Sequence, residues 1–536
     1  MKRTILAPIL LIIAAFAINR ALYPLVPSPA GRSFAPAGLI TAGKGWTKTW
    51  GGVGDERVNR TAVDAAGNVY VVGEFAGTVD FDPSPAKTRF YTSYNNTLDA
   101  FISKFDANGS LLWAKTWGGS KRDVAYGVGL DSAGNAYVVG PFMDTVDFNP
   151  DPVSTDWHTS NGISGTIYQN NIFLSKFAAD GTYQWVRTWG PSYVPGAAGG
   201  AEGYTVAVDG NYLYVVGDFS GGTTDFNPWG THDYHTNHPP VSGPIFFDAF
   251  LSKFDLNGNF QWAKTWGGEG YDDGPGVAVD QAGNVYVAGM YASQTINFDP
   301  AGGAGGLGHP AHDSGILVDV FLSKFDSAGN FIWVKTWGGQ GVEDAMGTVI
   351  IDAANQVYVA GRFASLDCDF DPGTDEDLHS THNGSQDAFV SKFAPDGSFV
   401  WARTWGGSSS ENAIGLALDQ WGYIYVSGWF SDLVDFNPGE GVDNRRSNQK
   451  QDAFVSQFDA DGNYRWARTW GGSGDDSSSV AIWGERLYAG GQFASTVDFD
   501  PGSGDDSHTS NGGSDAFLSQ FWLLSQHVYL PLVSRR

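Results

Sequence analysis

One cysteine, Cys368, stands in 536 residues, so a disulfide framework is excluded. Basic residues are scarce as well: 31 Lys+Arg face 58 Asp+Glu, a formal charge of −27. A polyanion such as nucleic acid would be repelled by that balance, and no basic cluster relieves it. Past the N-terminus no apolar run is long enough for a membrane span, so none is expected in the mature chain. What is abundant is glycine, at 72 residues, and aromatics, with 35 Phe, 22 Tyr and 20 Trp. That much apolar mass excludes disorder. Many turn residues and few helix formers predict an all-β protein.

The N-terminus has the shape of a secretory signal. Lys2-Arg3 precede an apolar run from Ile5 to Ile18, and Ala15-Phe16-Ala17 offers an A-x-A cleavage site. Residues 1–17 are therefore expected to be a signal peptide, or else an uncleaved anchor. Residues 18–44, rich in Pro, Gly and Ala, are expected to form a flexible leader. The location implied is secreted or cell-surface.

Repetition governs the remainder. A W-x-x-x-W strand recurs at Trp46/Trp50, Trp113/Trp117, Trp185/Trp189, Trp262/Trp266, Trp333/Trp337, Trp401/Trp405 and Trp466/Trp470. Successive copies lie 67, 72, 77, 71, 68 and 65 residues apart, which marks a repeat architecture. Between copies come a short strand, an Asp-x-x-Gly-Asn turn, an apolar strand of the V-Y-V-V-G type, and a D-A-F-[IVL]-S-K-F strand. Labelled a to d, four such antiparallel strands make one blade of a propeller. A d strand at 46–50 precedes any a strand, and no d strand follows 515–521. The expectation is a seven-bladed β-propeller over 45–521, closed by strand 46–50 completing the last blade, with a tail at 522–536. Closure would cover two strand edges otherwise open to aggregation.

The stretches W-A-[KR]-T-W-G-G, V-D-x-x-G-N-x-Y-V-x-G and D-A-F-[IVL]-S-K-F resemble the bacterial SBBP family of β-propeller repeats. The resemblance covers nearly everything from Trp46 to Phe521. It implies a secreted or surface propeller and supplies no catalytic residue. The hairpin Asp106-Ala107-Asn108-Gly109 before Trp113 is similar to the Trp-docking repeat of quinoprotein dehydrogenases and to the Asp-box of sialidases, but with altered spacing, so no site is carried over.

Candidate sites lie on the loops. Six residues after the second Trp stand Glu56, Asp123, Asp272, Glu343, Glu411 and Asp476, and the longer third loop offers Glu202. These carboxylates either ring the mouth of a central channel, where their oxygens suit Ca²⁺, or cap turns. Nine of ten histidines fall in the variable b–c loops, including His232, His235 and His238 at three-residue spacing and the pairs His309/His312 and His379/His382. Such imidazoles are weak candidates for a transition metal. The recurrent Asp-Phe-[Asp/Asn]-Pro element reads as a turn initiator or a calcium loop. No Ser/His/Asp set, metal motif or cofactor fingerprint appears, which favours a noncatalytic, monomeric binding or structural module facing a cell-surface protein or glycan. The rival readings are a hydrolase or lyase with a top-face carboxylate site, and a lectin using loop aromatics such as Trp157, Trp229 and Trp429.

Overall fold

The computed structural model describes residues 43–523 except 85, 162–169, 192–198, 239–245, 294–295, 302–317 and 503, with backbone alone at 43–44 and 346–348. The expected signal peptide, most of the leader and nearly all of the tail lie outside the described residues.

Local chemistry builds each sheet. In the first repeat, strands Glu56–Val63, Val69–Phe75, Asp99–Phe105 and Leu111–Trp117 pair antiparallel in chain order. Asp64 sets the first turn, because its Oδ1 accepts from the backbone N–H of Ala66 and Asn68 at 3.0 and 2.9 Å. Gly67 provides the left-handed residue that turn requires, at φ 83°. Asp106 repeats the device before the fourth strand. The second and third strands are buried on both faces, as befits a sheet covered on both sides.

The same order recurs at 127–189, 201–266, 272–337, 344–407 and 411–470, the last two joined by the pairs Gly406↔Asp435 and Gly407↔Val434. The final sheet unites the chain ends: Gly43–Trp50 pairs with Asp515–Trp522, with Thr47 opposite Ser519 and Trp50 opposite Ala516. Among the described residues helix is confined to one 3₁₀ turn, Tyr94–Asn96. The architecture is all-β and antiparallel.

Every hydrophobic core is shared by two sheets. One joins 70–117 to 125–186, and successive cores continue along the chain to one joining 425–470 with 480–523. A further core packs Trp50, Tyr488 and Leu518 of the final sheet against Val71, Phe101 and Phe105 of the first. The second Trp of each motif carries these contacts. Trp50, Trp117, Trp189, Trp266, Trp337, Trp405 and Trp470 are buried, each 5.0–5.8 Å from a Phe of the next sheet. Glycine follows them by necessity, since a Cβ at Gly267 would sit 2.4 Å from the Asp248 carboxyl carbon. The Trp repeat is architecture.

Candidate functional site

The repeated d–a carboxylates are buried clamps. Glu56, Asp123, Asp272, Glu343, Glu411 and Asp476 have no exposed surface. Each accepts the backbone N–H four residues upstream, the second glycine of W-G-G: Gly119 to Asp123 at 2.6 Å, Gly268 to Asp272 at 2.8 Å, Gly472 to Asp476 at 2.8 Å. The other oxygen of several reaches the end of the b strand. Met143 N–H donates to Asp123 at 3.0 Å, and Ser365 donates to Glu343 from both backbone and hydroxyl. Burial raises their carboxyl pKa values, to about 7 for Asp272 and Asp476, about 8 for Glu56 and about 9 for Glu411.

Glu202 belongs to a different position. In the third sheet it is Ala201 whose N–H bonds Asn170 O, the bond that Asp272 makes with Phe247 O in the fourth. Glu202 is one residue further on, beside Asp273 and Asp344. A side chain at this next position points to the opposite side of the strand. There it meets its b-strand partner: Arg57↔Glu74, Glu202↔Asp218, Asp344↔Arg362, Asn412↔Trp429 and Ser477↔Gln492.

These pairs form a polar row that passes from sheet to sheet. Arg57 of the first sheet bonds Gln492 of the last. Arg122 of the second grips Glu74 of the first through two N–H groups, at 3.0 and 3.1 Å. Tyr126 stacks on Tyr204 with ring centroids 5.6 Å apart. Tyr204 and Tyr271 both donate to Asp218 Oδ2, at 3.2 and 3.4 Å. Arg362 completes the row on Asp344 at 3.3 Å and Gln386 at 3.1 Å.

Acid is concentrated in one sector. Burial, then the nearby Asp273 and Glu202, push Asp218 well above the usual carboxylate range. Burial, then Asp344 and Glu202, do the same to Asp273. Asp344 rises only to about 6, because Arg362 offsets its burial. Oδ1 of Asp218, of Asp273 and of Asp344 is buried without a hydrogen-bond partner. Sequence reasoning missed this cluster. Its signals were the doublets Asp272-Asp273 and Glu343-Asp344, and the charges Glu74, Asp218 and Arg362 inside otherwise apolar b strands.

The loop histidines are not brought together. His235 bonds Thr265 Oγ1 at 2.9 Å, His238 bonds Asp248 at 2.7 Å, and His232 bonds Asp225 and stacks on Tyr234. His379 repeats the contact of His235 on Thr404, and His382 that of His238 on Asp387. His309 and His312 lie outside the described residues. Among the described residues no three His, Cys, Asp or Glu side chains form a ready-made metal centre. In the Asp-Phe-[Asp/Asn]-Pro elements the first Asp turns the chain: Asp80 Oδ1 accepts from Asp82 and Arg89 N–H.

Those elements start short outer hairpins that present a recurrent aromatic. Opposite Asp80, Asp147 and Asp225 stand Phe90, Trp157 and Tyr234, 63%, 61% and 61% exposed. Leu378 and Ser507 hold the position in later hairpins. Of the loop tryptophans expected as platforms, Trp157 and Trp229 are exposed, whereas Trp429 lies in the polar row. A groove of about 720 Å³ between the third and fourth sheets is lined by Asn211, Tyr212, Lys253 and Gln281. Lys253 Nζ donates there to Ser327 O and lies 3.8 Å from the Tyr212 ring centroid.

Residues 261–290 match the SBBP β-propeller repeat. The chain is a β-propeller repeat protein. This propeller protein is 23% identical over 493 residues to an uncharacterised WD repeat-containing protein of Acanthamoeba polyphaga mimivirus, covering 81% of this chain and 35% of the relative. The chain therefore spans about a third of that relative's length. Among solved structures, a protein of unknown function from Dyadobacter fermentans aligns at TM-score 0.37 and 9% identity, over 90% of this chain and 99% of its own. A Trypanosoma rangeli sialidase in complex with sialic acid aligns at TM-score 0.28 and 10% identity, over 78% and 56%. Likenesses at this level carry no argument about the propeller's chemistry. No helix among the described residues is long and apolar enough to cross a membrane.

Proposed function

We propose that the chain is a secreted or cell-surface, monomeric seven-bladed propeller that binds glycan without catalysis, its ring closed by the N-terminal strand. Closure is supported by the pairing of Gly43–Trp50 with Asp515–Trp522 and by the core that strand shares with the first sheet. Export is supported by Lys2-Arg3, the apolar run and the A-x-A site.

The observation that carries the binding reading is the exposed aromatic set Phe90, Trp157 and Tyr234, one at the same register of three consecutive hairpins. Flat rings repeated at one register offer a row of stacking surfaces, and sugar faces present C–H groups that stack on such rings. Each hairpin adds a pair of exposed threonine hydroxyls, Thr78/Thr92, Thr145/Thr159 and Thr223/Thr236, able to bond sugar hydroxyls. Three similar platforms suit a repeating polysaccharide, because linked weak contacts gain by avidity. The noncatalytic reading is supported by the acidic sector, whose unpartnered oxygens are closed to solvent.

A glycan array tests this. The wild-type protein is expected to bind one class of repeating glycan, and Trp157→Ala/Tyr234→Ala to lose at least tenfold while melting as the wild type does. An empty array, or equal binding by the double variant, would overturn the reading.

A further inference from the structure

We propose that the glycan taken by the outer hairpins carries free, protonated amines: a polymer of deacetylated amino sugars. This rests on the glycan reading above and names the chemical class of its ligand.

The starting point is the partner that register gives each exposed ring. Asp80 stands opposite Phe90, Asp147 opposite Trp157 and Asp225 opposite Tyr234. Directly opposed residues of an antiparallel pair share one face, with Cβ atoms about 4.5–5.5 Å apart. In the second hairpin Val146 and His158 take the other face, where Val146 is buried and the His158 ring meets Phe148 at 5.7 Å. The outward face therefore carries one ring, one carboxylate and the hydroxyls of Thr145 and Thr159. A ring face beside a carboxylate selects an ammonium group, through the ring quadrupole and a charge-assisted hydrogen bond together.

Two of these carboxylates keep one oxygen free. Oδ1 of Asp147 accepts from the N–H groups of Asn149 and Asp156, and Oδ1 of Asp80 from those of Asp82 and Arg89. Oδ2 of neither accepts a hydrogen bond from the described residues. In the third hairpin a side chain of the protein takes up that oxygen. His232 Nδ1 lies 2.5 Å from Asp225 Oδ2, and its ring stacks on Tyr234 with centroids 5.3 Å and planes 22° apart. A nitrogen base thus sits on ring and carboxylate at once. The first two hairpins have the shorter Thr88 and Thr155 at the matching position, before Arg89 and Asp156 as His232 is before Asp233.

Long-range charge favours the same ligand. Loops 151–170 and 229–247 contain neither Lys nor Arg, and a chain of formal charge −27 attracts polycations and repels sulfated or carboxylated glycans. The first loop adds Lys87 and Arg89, so the second and third hairpins carry the preference.

The test is titration calorimetry of the full chain with glucosamine oligomers and with N-acetylglucosamine oligomers of equal length, at about pH 5.5 and low salt. The glucosamine oligomer is expected to bind about tenfold tighter, by a margin that shrinks as NaCl screens the charges. Asp147→Asn/Asp225→Asn should erase that margin. Asn keeps the Oδ1 that holds the turn, as Asn297 does for Asp299 N–H at 3.0 Å, so the double variant should melt as the wild type does. If it does not fold, Asp147→Asn alone is read in the same way. Equal binding of the two oligomers, or a full margin in the folded variant, would overturn the amine assignment and leave glycan binding standing. Binding of neither oligomer would overturn it as well, and the glycan array then decides the wider reading by itself.

Discussion

Stability is expected to peak near pH 4 and to fall steadily towards pH 9. The carboxyls of Asp272 and Asp476 are raised to about 7, that of Glu56 to about 8 and that of Glu411 to about 9, chiefly by burial. A carboxyl raised in the folded state binds a proton that the unfolded chain has already released. Its stabilisation is therefore lost as pH climbs from the unfolded value near 4 through the folded one. Every tenfold gain in proton affinity on folding corresponds to about 1.4 kcal/mol, so a few such groups make the alkaline limb steep. On the acid side, Asp64, Asp255 and Asp326 are lowered despite partial burial, by hydrogen bonds from their turns. Their stabilisation is lost as pH falls below about 4, which closes the peak from that side. Urea unfolding from about pH 2.5 to pH 9 reads both limbs. Glu411→Gln, which keeps an acceptor for Gly407 N–H, should flatten the alkaline limb, and a curve still rising to pH 9 would contradict the assignment.

Trp266→Ala is expected to cost about 3–5 kcal/mol, measured by denaturant unfolding at pH 6. Trp266 is 2% exposed, lies 5.5 Å from Phe325 and 6.1 Å from Phe321, and is shared by the third and fourth sheets. Truncation leaves a cavity between two layers whose backbones are pinned by their own ladders, so little collapse can fill it. Its indole N–H has no partner, as is true of the second Trp in every motif. Trp266→Phe should therefore cost much less than Trp266→Ala, since it gives up no hydrogen bond. A loss below about 1 kcal/mol for the Ala variant would remove this tryptophan from the core.

The repeat made the strands legible because turn chemistry and spacing are local properties. Asp64, Gly67 and Asn68 announce their turn in five residues, and W-x-x-x-W puts both indoles on one face of a strand. The unmatched strand at 46–50 likewise announces its pairing with 515–521. The carboxylates were visible at their fixed offset from Trp, but their orientation was not. Whether Asp272 faces solvent or Gly268 N–H depends on the path of the loop, which the offset alone leaves open. Glu202 shows the same limit: a longer loop shifted it by one position, and one residue along a strand exchanges one face for the other. The acidic sector stayed hidden because its members come from separate repeats, and only the packing of three sheets unites Glu202, Asp218, Asp273 and Asp344.

Closure by the N-terminal strand is the proposal on which the seven-bladed reading depends. Thr47 and Ser519 are register partners with hydroxyl oxygens 3.1 Å apart, and the single native cysteine is buried. Oxidation of Thr47→Cys/Ser519→Cys, followed by peptide mapping, should yield one intramolecular disulfide between positions 47 and 519 in the monomer. Free thiols under the same conditions, or a disulfide found only in dimers, would contradict the closed ring.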